Sequence, residues 1–219
     1  MPPSLHIHHL KPTDALFEDI NVLLIAIASL ATAATLRVDG KAAFDTGDYV
    51  TIEGRHLDVR LRLPVHGPVE AAVASRKPDL IELSELPGRD HERSYSTKTG
   101  GFANYVDTLF LPFLVSYFQR HRAQVEAKHK PNRLAWPSSW QMGWALRNAA
   151  SHGGVAFERP SQKPVAWRGL SFGPSDEPAK SLLKLLNGAD ILLLLLEMDK
   201  NRTYAKETLY SAEECRFAL

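Results

Sequence analysis

The sequence predicts a mainly α protein: a helical bundle with a small β-hairpin insertion in its N-terminal half and a short β pair late in the chain. Three observations predict it. Apolar residues recur at three- and four-residue steps over long stretches, as in Phe102, Tyr105, Leu109, Phe113 and Tyr117. A period of two is confined to a short segment around residues 49–65. The composition, 44% apolar and 23% charged over 219 residues, is that of a globular chain with ample material for a core. It excludes disorder throughout, collagen-like sequence and a disulfide-stapled mini-protein.

The elements follow in order. Residues 1–15, with Pro2, Pro3 and Pro12, read as a tail. Its histidines, His6, His8 and His9, have no neighbours in sequence that complete a metal site. Thr13 or Asp14 caps a helix over about 15–37, which Asp39-Gly40 ends. The apolar run 22–36 is fifteen residues long and contains Ser29, Thr32 and Thr35. It falls short of the roughly 18–20 residues a membrane span needs. Val50 and Ile52, then Leu57, Val59, Leu61, Leu63 and Val65, alternate with polar residues, which predicts a hairpin turning near Glu53-Gly54. A short helix fits residues 69–75. Residues 88–101 hold ten charged or hydroxylated residues of fourteen and read as a loop. A helix over 102–128 contains Pro112, where a kink is expected. Pro131 and Pro137 bracket a linker. A helix over 138–152 starts at Ser138 or Ser139 and stops at Gly153-Gly154. Residues 155–157 and 165–172 read as short strands, 175–186 as a helix, and 188–201 as a last long helix around the apolar block 191–196. The residues beyond could add one more helix. The domain division is a tail over 1–15 and one domain over 16–219. Within it, 38–101 is the hairpin and loop insertion and 102–205 the motif-bearing core.

Cys215 is the single cysteine, so no intramolecular disulfide forms, which fits a reducing cytoplasm. The first ten residues lack the basic-then-apolar pattern of a secretory signal. The formal net charge is only +1, but its distribution is uneven. Residues 1–110 balance to −4, residues 111–171 to +7 and residues 172–219 to −2. Arg120, Arg122, Lys128, Lys130 and Arg133 are densest in the middle segment, with Tyr117, Phe118, Trp136 and Trp140 interleaved or flanking. Cations attract phosphates and aromatic faces stack on unpaired bases, so these five residues are candidate RNA contacts. The row Trp136, Trp140, Trp144 reads as core.

The sharpest local feature is Arg147-Asn148-Ala149-Ala150-Ser151-His152-Gly153-Gly154. Asn148 and His152, four apart, share a helix face, and Arg147 lies about 100° round with a side chain long enough to swing toward it. A permanent cation, an amide and a proton-transfer group thus fall within about a turn and a half. Histidine titrates near 6.5, so both of its forms are accessible at neutral pH. It can take the proton of a ribose 2′-hydroxyl or give one to a leaving 5′-oxygen, while arginine stabilises charge on the phosphate. The 2′-hydroxyl is its own nucleophile, so no metal and no cofactor are required. One histidine cannot easily be acid and base in a single step, and two copies facing each other would supply both. Read as structure alone, the same residues would be a helix C-terminus with His152 and Arg147 as caps or packing groups.

Arg147-Asn148-x-x-x-His152, ending a helix and followed by another long helix, resembles the Arg-polar-x3-His signature of the HEPN superfamily. Trp167-Arg168-Gly169-Leu170, Ser175-Asp176-Glu177 and Asp190-Ile191-Leu192 through Glu197-Met198-Asp199 are similar to a plasmid-associated branch of it. The resemblance spans about 102–205 and leaves the hairpin region aside. It implies a helical bundle and a metal-independent endoribonuclease that leaves a 2′,3′-cyclic phosphate. It also implies a homodimer with one composite cleft and a role as toxin or defence effector, with an antitoxin protein as a further partner. By position, Arg147 would stabilise the phosphate, His152 transfer the proton and Asn148 orient one of them. The alternative within the family is a catalytically silent module that binds a nucleotide or a partner protein.

Overall fold

The computed structural model describes residues 5–39, 49–88, 102–177 and 181–203. The helix stop at Gly40, most of the loop 88–101, Cys215 and the C-terminal helix expected beyond the last long one lie outside them. The chain divides into two compact units, Met1–Phe113 with Leu186–Ile191, and Leu114–Leu185 with Leu192–Leu219.

The first unit corrects the expected fold class. It contains a four-stranded antiparallel sheet, so the protein is mixed α/β and not a mainly α bundle. The strands are β1 (His6–Leu10), β2 (Tyr49–Glu53), β3 (Val59–Pro64) and β4 (Ile81–Pro87), in the order β1-β4-β3-β2. The expected hairpin is β2 and β3, with Ile52 opposite Leu61. It is not an insertion in a bundle but half of this sheet. The expected tail is also corrected. Residues 6–10 form an edge strand with Leu10 opposite Ile81 and His8 opposite Leu83. Backbone pairing along a partner strand supplies what the apolar pattern does not. His8 Nε2 lies 3.0 Å from Glu85 Oε2.

Helix α1 (Phe17–Asp39) buries Phe17, Ile20, Leu23, Leu24 and Ile27 and leaves Val22 more than half exposed. That is a single apolar stripe at helical spacing. α2 (His66–Val73) packs on α1 and buries Pro68 and Ala71. In the sheet Leu61, Leu63, Ile81 and Leu83 are buried while Arg62 and Glu82, next to them in sequence, face out.

Helix α6 (Gly188–Thr203) begins in this unit. Asn187 Oδ1 accepts from the Asp190 amide at 3.3 Å, and Asp190 Oδ2 accepts from the Asn187 amide at 3.1 Å. This is a reciprocal capping box. The buried Asp190 carboxylate also accepts from the amides of Arg55, His56 and Leu57, each at 3.0 Å. Asn187 Nδ2 donates to the Glu53 carbonyl at 2.6 Å. Gly54 closes the junction. A Cβ there would come within 2.5 Å of the Leu57 carbonyl oxygen and 3.0 Å of Asp190 Oδ1.

The second unit holds the end of α3 (Phe102–His129), a single 3-10 turn at Arg133–Ala135, α4 (Ser138–Ser151), the pair β5 (Val165–Trp167) and β6 (Leu170–Phe172), α5 (Leu182–Leu185) and the rest of α6. The short β pair is a hairpin wholly inside 165–172. Its two-residue turn, Arg168 at φ 42° and Gly169 at φ 82°, has the two positive φ values of a type I′ turn. Residues 155–157 are not a strand. The Ala156 and Phe157 amides donate to Glu177 Oε1 instead. The helix expected over 175–186 is only α5 among the described residues. The helix α4 starts after Pro137, whose N-cap position carries no side-chain hydrogen bond, rather than at a serine cap. Ser139 is buried and accepts from Asn201 Nδ2.

The core of this unit forms where α3, α4 and α6 meet. Residues 192–196 are buried on every side. Gly143 permits the close approach, since a Cβ there would lie 2.7 Å from Met198 Sδ. Trp140 Nε1 donates to the Met198 carbonyl at 2.9 Å, and Phe118 and Trp140 rings lie 5.5 Å apart. Among the described residues no helix is long and apolar enough to cross a membrane.

Replacing Asp190 with Ala strips an acceptor from four buried or part-buried amides, a loss of about 3 kcal/mol for hydrogen bonds to a charged group. The expected result is fast hydrogen exchange at the Arg55, His56 and Leu57 amides, read by NMR or mass spectrometry. Protection unchanged at those amides would contradict the role assigned to Asp190.

Candidate functional site

Arg147, Asn148 and His152 all lie at the C-terminal end of α4, inside the second unit. The structure draws the first two together. Arg147 Nη1 donates to Asn148 Oδ1 at 3.1 Å. Asn148 is buried, and its Nδ2 donates to the Ala156 carbonyl at 3.3 Å, which fixes the amide. On the other side stands Gln119 of α3. With its amide oxygen turned to the guanidinium, it accepts from Arg147 Nε at 2.8 Å and Nη2 at 2.7 Å. Arg147 is therefore held by two amide oxygens. Both are neutral.

Three other arginines of the unit differ. Arg122 pairs with Glu126 at 2.7 Å, Arg168 with Glu197 at 2.5 Å and Arg202 with Asp199 at 3.0 Å. No carboxylate pairs with Arg147 among the described residues. An oriented guanidinium without a counter-charge is receptive to an anion.

His152 does not stay on the face of Asn148. It is the C-cap of α4 at φ −123° and ψ 36°, out of the helix, and it is exposed where Asn148 is buried. Its amide donates to the Asn148 carbonyl at 2.9 Å. Gly153 and Gly154 follow at φ 64° and 101°, and the Gly154 amide donates to the Ala149 carbonyl at 2.7 Å. This six-to-one bond is a Schellman ending, which needs a left-handed residue after the cap, a place suited to glycine. The imidazole is thus held at a fixed helix end and open to solvent.

The five basic candidates are not gathered at one spot. At 100° per residue, Arg120, Arg122 and Lys128 point to different sides of α3. Arg122 is neutralised by Glu126, and Lys128 Nζ donates to the Asn201 carbonyl at 3.2 Å. Lys130 follows the helix in a left-handed conformation, φ 67°. Arg133 lies over the Trp144 ring, 4.1 Å from its centroid, and its Nη2 donates to the Lys163 carbonyl at 3.0 Å. Burial lowers the Arg133 pKa from its ordinary value.

Two residues near the motif carried no sequence signal as functional. Gln119 is remote in sequence, and nothing marks it before the fold brings it to Arg147. Trp144 read as core with Trp136 and Trp140. Those two are buried, but Trp144 is only half-buried.

A second polar cluster lies at the other end of α6's packing. Tyr117 Oη donates to Asp199 Oδ1 at 2.6 Å, and Arg202 donates to both. Burial, then the Asp199 charge, raises the Tyr117 pKa. The His121 ring packs 4.6 Å from that of Tyr117. Burial, then the Arg202 charge, lowers the His121 pKa, while Gln124 and Asp199 act the other way and Arg120 adds to the lowering. Among the described residues no group of three or more His, Cys, Asp or Glu is placed to hold a metal ion.

Comparison of the chain with family models, curated proteins and solved structures finds no match.

Because the folded pKa of His121 lies below its unfolded value of about 6.5, its neutral form contributes stability that is complete above that pH. The contribution is lost as pH falls from there through the folded pKa. Urea midpoints at pH 7.5 and 5.5 should therefore differ less for His121→Gln than for the wild type. An equal difference would show that His121 is not a source of acid sensitivity.

Proposed function

We propose that the chain is an endoribonuclease in which Arg147 and His152 carry out metal-independent cleavage by 2′-hydroxyl attack, leaving a 2′,3′-cyclic phosphate. The observation that carries this reading is the Arg147 guanidinium, oriented by Gln119 and Asn148 yet matched by no carboxylate. Such a cation binds a phosphodiester and holds the charge that develops on its oxygens during in-line attack. His152, exposed one turn further on, supplies the group that moves a proton. Asn148 and Gln119 act through Arg147 and are positioning residues.

Attack by the 2′-oxygen on phosphorus needs one proton removed there and another delivered to the departing 5′-oxygen. A second copy of the chain, facing the first, brings a second His152 for the opposite task. This composite arrangement is part of the proposal, as is a role as toxin or defence effector. The reading rests on the motif and its hydrogen bonds. The likeness to HEPN proteins supports it only over Arg147-Asn148-x-x-x-His152, and the four-stranded sheet lies outside that likeness.

Purified protein incubated with single-stranded and structured RNA should release 2′,3′-cyclic ends in EDTA. Arg147→Ala and His152→Ala should each lower kcat/KM by at least about 100-fold, the scale for loss of an acid–base or charge-stabilising group. Gln119→Leu should lower it less. Cleavage that EDTA abolishes, or that survives both alanine variants, would end the reading.

A further inference from the structure

Three of the four tryptophans are tied down. Trp136 Nε1 donates to the Lys130 carbonyl at 3.1 Å, Trp140 to the Met198 carbonyl at 2.9 Å and Trp167 to Glu197 Oε2 at 2.5 Å. All three are buried. Trp144 differs on both counts. It is half-buried, and its indole N–H meets no acceptor among the described residues. A large aromatic ring kept partly in water with a free donor is costly as core and useful as a contact surface.

Its surroundings are specific. The Arg133 guanidinium lies 4.1 Å above the ring, and Phe157 meets it edge-on at 5.8 Å. Arg133 Nη2 is spent on the Lys163 carbonyl, but Nη1 is buried with no acceptor. Two donors, one on each member of the stack, thus lack partners. Trp144 also shares the half-exposed stripe of α4 with Gln141 and Arg147, at three-residue steps. Side chains at that spacing start about 5–6 Å apart, so one nucleotide can reach both.

We propose that Trp144 and Arg133 form a stacking site for an unpaired base of single-stranded RNA, beside Arg147, which takes a phosphate of the same strand. A base stacks on the Arg133–Trp144 pair, a platform that tolerates any base because every base has a π-face. A base in a duplex is already stacked and paired, so the site selects single strands. The inference rests on the reading of Arg147 as a phosphate ligand but not on cleavage.

The test uses a short 2′-O-methyl oligouridylate, which cannot be cut by 2′-hydroxyl attack, and a duplex of the same length and chemistry. Trp144→Ala should weaken the single strand about ten-fold and leave the duplex unchanged, while Trp144→Phe restores most of the affinity. Arg133→Lys, which keeps the charge but not the plane, should weaken the single strand too. In the wild type the oligonucleotide should quench tryptophan fluorescence, and Trp144→Phe should remove that quenching while still binding. A Trp144→Ala protein with wild-type circular dichroism that binds the single strand unchanged would overturn the inference. So would an equal loss on single strand and duplex, or quenching that persists in Trp144→Phe. Stacking at Trp144 in a protein that cuts no RNA would uphold this site and end the nuclease reading. Cleavage dependent on Arg147 with neither quenching nor a Trp144 effect would do the reverse.

Discussion

The buried carboxylate of Asp190 is the constraint on which much of the structure depends. A buried anion is tolerated only when its lone pairs are filled. Here the amides of Asn187, Arg55, His56 and Leu57 fill them. The same group caps α6 and fixes where that helix begins. Each residue of slip would turn the helix by about 100°. Further along the same helix, Met198, Glu197, Asp199 and Asn201 each meet a specific partner.

The arginines of the second unit are held in more than one way. Arg122, Arg168 and Arg202 are each opposed by a carboxylate, and these pairs contribute little beyond local order where they are exposed. Arg147 and Arg133 are instead held by neutral oxygens. Their charge is therefore available. The formal total of +1 conceals this, because it is where cations lack partners, not how many there are, that determines where an anion settles.

The helices were legible because their apolar residues repeat at the helical period, and α1, α3, α4 and α6 fall within a few residues of their expected bounds. The sheet was half legible. β2 and β3 alternate over several apolar positions. β1 reads His-Ile-His-His-Leu, with little apolar content, and β4 loses its alternation at Glu85. Both are held by pairing with strands remote in sequence, which no local pattern reports. Missing them turned a four-stranded sheet into a hairpin insertion and the chain into a mainly α protein. Of the candidate site, Arg147 and His152 are legible, since helix geometry alone places them at one helix end. Gln119 is not, since it reaches Arg147 only through tertiary packing. Trp144 was obscured by its neighbours, because four-residue spacing with two buried tryptophans looks like a third.

The contact at Gly143 has a consequence for how this chain can change over time. The backbone of α4 comes so near Met198 that a methyl group at 143 fits only if the Met198 thioether shifts. What position 143 accepts therefore depends on how far the buried Met198 thioether can give way. Gln141, on the half-exposed stripe, is not confined in this way. Drift in α4 is thus easier on one side than on the other. A smaller residue appearing first at 198 makes a larger one at 143 easier to accept, so the order of the two substitutions, and not only their sum, sets how costly the path is.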